Sequence, residues 1–193
     1  MKQKILKWLP PLLVLFVLGG HWHIGRTRGG QGNVRTITVS GLTFEERCAD
    51  DSGQIVACRE LSDLVPGDIL VTASAHTLFF RHGHVGVYAG DGLVLEVLGM
   101  GAVSGLLPME DWNYFPTLQI LRPVLPAGAD IKKEAQLLVG LPYWPVARRG
   151  HVHCGTLVWQ LFANLGMDLL PDTWILPLNF QHSQELTLIY ADF

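Results

Sequence analysis

The chain reads as a single α+β domain, in which a small antiparallel sheet packs against a helix that carries a cysteine. Its 193 residues, 49% hydrophobic and 16% charged, suit one packed core. His84 to Tyr88 and Leu93 to Val97 are strand-like runs around Ala89-Gly90-Asp91-Gly92, the pattern of a β-hairpin. Leu157, Val158, Leu161, Phe162 and Leu165 then recur at helical spacing, directly after Gly150-His151-Val152-His153-Cys154-Gly155-Thr156. The formal net charge is −3 and no basic stripe stands out, so nothing argues for nucleic acid as a partner. A small molecule or a peptide is expected instead.

Residues 1–24 have the outline of an export signal or an N-terminal membrane anchor. Lys2, Lys4 and Lys7 precede an apolar run from Leu9 to Leu18, broken only by Pro10 and Pro11, and Gly19 and Gly20 follow. The run is short of the roughly 20 residues of a spanning helix, which favours a removable signal, while the weak site Val17-Leu18-Gly19 leaves an uncleaved anchor open. Both readings deliver the domain outside the cytoplasm, to a periplasm or cell envelope.

Residues 25–35, rich in Gly and Arg, read as a linker, and residues 36–60 as an N-terminal extension with a strand at Thr36 to Val39. Cys48 and Cys58 flank the turn-forming Ala49-Asp50-Asp51-Ser52-Gly53-Gln54, and an exported chain would join them in a disulfide. The alternative is two free thiols. Residues 61–193 form the main domain, beginning with Leu61 to Val65, a turn at Pro66-Gly67-Asp68 and a strand from Ile69 to Thr72. After the hairpin come an apolar strand at Leu118 to Leu121 and a helix over Ile131 to Val139, opened by Asp130 and closed by Gly140. Leu186 to Tyr190 is the last strand, and no internal repeat is visible.

Cys154 is the candidate nucleophile. At a helix N-terminus, orphan backbone N–H groups and the positive end of the dipole favour the thiolate, the reactive form of cysteine. Such a thiol needs a base, and the base needs an orienting acceptor. His84 and Glu96 supply both on the hairpin, provided that they share a face. A two-residue turn at Asp91-Gly92 would set them on opposite faces, whereas a three-residue loop or a compensating bulge brings them together. We expect the latter.

Taken in order, Pro66-Gly67-Asp68-Ile69-Leu70, Gly83-His84-Val85-Gly86-Val87-Tyr88, Val94-Leu95-Glu96, Gly140-Leu141-Pro142-Tyr143 and His153-Cys154 resemble the permuted NlpC-type papain-like hydrolases of the YiiX/YebB kind. The order carries the resemblance, because histidine precedes cysteine as a circular permutation requires. Pro177 to Ser183, leading into Leu186 to Tyr190, matches the end of these domains, so the resemblance spans about residues 61–193. It implies a papain-like α+β core with Cys154 as nucleophile, His84 as base and Glu96 as orienter. Tyr143, at the family's Gly-x-Pro-Tyr position, would line the site with Gly83, Gly155 and His153. Relatives cleave amides of cell-wall peptides, and others transfer or hydrolyse lipid acyl groups. The expected substrate is thus a cell-envelope peptide or, as runner-up, a lipid acyl group, handled by a monomer without cofactor. The chain departs from the pattern at Gly155 and Gly83, where members often carry Ser after the nucleophile and Ser or Asn before the histidine.

Plainer readings stand beside these. Cys154 could be a small buried hydrophobe, His84 a satisfied core histidine, Glu96 a solvent-facing charge, and Tyr143 and Trp144 packing residues. Arg148 and Arg149 read as a solvated loop face or as contacts for a substrate carboxylate or phosphate. A zinc site built from His82, His84, His151, His153 and Cys154 is a second function class, and an inactive ligand-binding domain a third. The apolar stretch Val97 to Leu107, with Trp112, Tyr114 and Phe115, reads as an acyl-chain wall or as core.

Overall fold

A computed structural model describes residues 20–26, 33–39, 42–74, 83–146, 148–170 and 175–192. The apolar run Ile69-Leu70-Val71 explains the centre of the architecture. A strand whose successive side chains are all apolar must be covered on both faces. Ile69 and Val71 enter one core and Leu70 the other, and all three are fully buried.

This strand, β4 (Ile69–Thr72), is joined by β5 (His84–Gly90), β6 (Leu93–Glu96), β7 (Gly105–Pro108), β8 (Leu118–Pro123) and β9 (Leu186–Asp192). They form a six-stranded antiparallel sheet in the order β7-β6-β5-β4-β8-β9. Helices α1 (Ile131–Leu137) and α2 (Cys154–Asn164) contribute to the first core, where Leu157, Val158, Leu161 and Phe162 pack with Val71, Val85 and Val87. The second core holds Val94, Trp112, Phe115, Leu118 and Ile120, under a 3₁₀ turn at Met109–Tyr114. The molecule is therefore α+β, as expected.

Strands β4, β5, β6, β8 and β9 and helix α1 fall where the residue patterns put them, with ends displaced by a few residues. Asp130 caps α1 by accepting from the Lys133 N–H at 3.0 Å. The strand β7 was not foreseen: its Leu106 and Leu107 lie in the stretch read as an acyl-chain wall or core. Trp112 and Phe115 are core, at 0% and 1% exposed, so neither lines a substrate wall.

Strands β1 (Gly20–Arg26), β2 (Asn33–Val39) and β3 (Leu42–Ala49) make a second, three-stranded antiparallel sheet. The expected linker at 25–35 thus ends in strands on both sides, and its middle, residues 27–32, lies outside the described residues. Most of the expected export segment, residues 1–19, also lies outside them. Among the described residues no helix is long and apolar enough to cross a membrane.

Cys48 and Cys58 are joined in a disulfide, with Cα atoms 5.5 Å apart. The intervening turn is held by the Asp50 carboxylate, which accepts from the N–H groups of Ser52 and Gln54 at 2.9 Å each. Beyond it the chain is tied to the 3₁₀ turn: the Cys58 N–H donates to the Asn113 carbonyl at 2.8 Å and Arg59 to the Phe115 carbonyl at 2.6 Å. Arg47 of β3 lies 4.1 Å over the Phe115 ring. The extension therefore braces the second core, including Trp112.

Candidate active site

Asp91 and Gly92 form a two-residue turn, both at positive φ (55° and 70°), and Gly90 pairs with Leu93. Taken alone, that turn would separate His84 from Glu96. A bulge at Ala89 shifts the register, so that Val87 pairs with Leu95 and Tyr88 with Val94. One extra residue on one strand restores a common face, so of the two arrangements expected, a three-residue loop or a compensating bulge, the chain uses the bulge.

The result is a buried hydrogen bond between His84 Nε2 and Glu96 Oε2 at 2.5 Å, with the residues 1% and 3% exposed. Trp112 stacks on the imidazole, ring centroids 5.2 Å apart and planes 20° from parallel. Glu96 and Trp112 between them fix the ring's tilt and rotation. With Nε2 taken by the carboxylate, Nδ1 is the nitrogen left for a thiol.

That thiol arrives from the other core. The N-terminal turn of α2 starts at Cys154, which packs against the first core, is partly exposed and lies within hydrogen-bonding reach of both His84 and His153. His84 opens β5 at the end of the sheet, so its ring touches Trp112 from one core and Cys154 from the other.

The electrostatics follow from this arrangement. Burial opposes charge on Cys154, but hydrogen bonds from His153 and His84, with the charge of His84, bring the thiol down from 9.0 to about 6. Burial likewise opposes charge on His84, and the hydrogen bonds to Cys154 and Glu96, with the charge of Glu96, raise it from 6.5 to about 9. Both shifts point to a thiolate–imidazolium pair near neutral pH.

His153 has a structural duty as well. It is the N-cap of α2: its Nδ1 accepts from the Thr156 N–H at 3.3 Å, and the Thr156 hydroxyl accepts from the His153 N–H at 2.9 Å. An accepting Nδ1 puts the ring's proton on Nε2 in the neutral form. The sequence marks His153 only as a site-lining residue and a possible zinc ligand, and its capping role comes from the structure.

Tyr143 is half-buried, and burial together with the Cys154 charge pushes its hydroxyl up to about 12. It is held by a clamp the sequence did not reveal. The buried Ser104 hydroxyl donates to the Leu138 carbonyl at 2.5 Å and accepts from the Leu141 N–H at 2.9 Å, while the Tyr143 N–H donates to the Ala102 carbonyl at 3.0 Å. Part of the apolar stretch 97–107 is thus occupied in fixing the loop that bears Tyr143.

The two glycines that depart from the family pattern have no room for a side chain. Gly83 has φ +72°, and a Cβ there would lie 1.9 Å from the Thr72 carbonyl oxygen. At Gly155 a Cβ would lie 2.8 Å from the Ile175 carbonyl oxygen. Both sit beside the site because the backbone is closely packed there.

His151 does not join the cluster: its Nδ1 donates to the Arg149 carbonyl at 3.2 Å, and its ring meets Trp144 edge-on. His82 lies outside the described residues, and among those residues no three His, Cys, Asp or Glu side chains are grouped to hold a metal ion. Comparison with known proteins finds no matching family model, no matching curated protein and no matching solved structure.

Proposed function

We propose that the chain is an exported thiol hydrolase with a permuted papain-like, NlpC-type fold, which cleaves an amide bond in a cell-envelope peptide. The observation that carries this reading is the buried His84–Glu96 hydrogen bond at 2.5 Å, with the thiol of Cys154 at the imidazole's other side. The disulfide supports an oxidising compartment.

In this reading the Cys154 thiolate attacks the amide carbonyl, and the carbonyl π electrons move to oxygen. N–H groups of the first turn of α2 stabilise that oxyanion. The imidazolium of His84 gives its proton to the amide nitrogen, the C–N bond breaks, and the amine leaves an acyl-thioester. Water then attacks the thioester, its proton passes to His84, and the thiolate is expelled with the carboxylic acid. Glu96 holds the ring through its hydrogen bond to Nε2.

A second reading, lipid acyl hydrolysis or transfer by the same thiol, is favoured by apolar side chains near the Tyr143 loop. Met100, Val103 and Val146 are 66%, 59% and 68% exposed. The test is intact-mass labelling with iodoacetamide, followed by digestion of muropeptides and of acyl-lipid micelles. Fast single-site labelling, lost in Cys154→Ser and slowed in His84→Ala, is expected together with muropeptide cleavage. Cleavage of acyl lipids alone selects the second reading, and slow labelling indifferent to His84 removes both.

A further inference from the structure

Trp112 does more than fill the second core. Its indole is fully buried, yet among the described residues its N–H meets no hydrogen-bond acceptor. A buried donor without a partner forfeits the hydration it had in the unfolded chain, so a phenylalanine or a leucine would fill much of the same space without that loss. Burial by itself therefore does not account for an indole at this position.

Its contacts do. The indole lies nearly parallel to the His84 imidazole, with planes 20° apart and centroids 5.2 Å apart. Strand β5 leaves room for it at Gly86, two residues from His84 and on the same face: a Cβ there would lie 3.1 Å from the Trp112 Cζ2 and 2.6 Å from Val94. Phe115 meets the indole edge-on at 5.3 Å and holds its plane. Among the described residues the titratable groups that face His84 are Glu96 of β6 and Cys154 of α2. From β4 it pairs with Thr72, and from the 3₁₀ turn it meets the neutral indole. The negative π face of tryptophan attracts a cation within about 6 Å of its centroid, and does so most strongly where both are out of water.

We propose that Trp112 is a positioning residue that acts by charge as well as by shape: its π face stabilises the imidazolium of His84, and with it the ion pair to the Cys154 thiolate, against the burial that opposes both. The assignment rests on the reading of Cys154 and His84 as nucleophile and base. It also accounts for the orphan donor, because an indole that turns its face to the imidazole keeps its N–H in the ring plane, inside the apolar second core.

The test is the titration of His84, followed by the NMR signal of its Cε1 in the full, disulfide-bonded chain with every tryptophan replaced by a mono- or difluorinated analogue. Fluorine drains the negative face and changes the ring's size little. The midpoint, about 9 in the protein, should fall further with each fluorine added. In Trp112→Leu the imidazolium should lose roughly tenfold in preference, the size of a desolvated cation–π contact. In Trp112→Phe the same analogues should leave the midpoint where that variant sets it. A midpoint that ignores fluorination overturns the proposal whatever Trp112→Leu does to the fold, and so does a fluorine effect that persists in Trp112→Phe. Slow iodoacetamide labelling of the wild type, indifferent to His84, removes the nucleophile instead, and the titration of His84 still reads the contact with Trp112.

Discussion

At Cys154 and His84, proton bookkeeping makes reactivity and stability respond to pH in different ways. A thiol lowered to about 6 in the folded chain adds stability as pH rises from there towards its unfolded value of 9.0. A histidine raised from 6.5 to about 9 loses stability over nearly the same window. The ion pair holds one proton, as does the unfolded thiol plus imidazole, so the two slopes oppose each other. Folding stability should therefore stay nearly flat between about 6.5 and about 9, while alkylation of Cys154 already rises through about 6. In His84→Ala the onset of alkylation should move up from about 6, because one of the two hydrogen bonds that lower the thiol and the charge of His84 are lost while burial still opposes the thiolate. An onset unmoved by that substitution, in pH-resolved mass labelling, would show that His84 does not hold the thiolate.

Among the elements, the hairpin is the part on which the site depends most. Its two-residue turn is set locally by Asp91-Gly92, but the bulge at Ala89 is what turns Glu96 towards His84. The entry to β5 is equally constrained. Gly83→Ala combines a positive φ with a Cβ inside the Thr72 carbonyl, so it should cost more than about 3 kcal/mol. Gly92→Ala, with positive φ but nothing within 4 Å, should cost about 1 kcal/mol. Urea unfolding of the two variants checks the contrast, and equal costs would mean that the close approach to β4 is relieved by a small shift. The turn before β4 is secured by a different device: Arg122 of β8 pairs with both oxygens of the fully buried Asp68 at 2.7 Å. Pro66-Gly67-Asp68, part of the family-like pattern, thus acts here as an anchor for the sheet.

At the scale of the whole molecule, the extension is fastened to the edge of the second core through Asn113 and Phe115. The Cys48–Cys58 disulfide closes a short loop and should contribute about 2 to 3 kcal/mol through the unfolded state. Since Cys58 and Arg59 also fasten the 3₁₀ turn that carries Trp112, Cys48→Ser/Cys58→Ser should lower the thermal midpoint and slow alkylation of Cys154 together. A lowered midpoint with unaltered alkylation would show that Trp112 keeps its stack without the brace.

Much of this was open to reading in the chain itself. Period-two and period-3.6 patterns placed β4, β5, β6 and α2, because burial on a sheet or helix face repeats at short, fixed intervals. The Cys48–Cys58 pairing followed from a short turn-rich spacing, which is also local. The strand β7, the Ser104 clamp and the stack of Trp112 on His84 were not legible, since each joins residues far apart through a contact that leaves no periodic mark. By itself the sequence determined most elements of the main domain, though not β7 nor the strands β1 and β3 before it, and named Cys154, His84 and Glu96 as candidates, because propensity, turn chemistry and residue type act over a few positions. Only the tertiary structure decided that a bulge and the crossing of α2 over the end of β5 bring the three together, because register and helix placement are set by packing across the entire core.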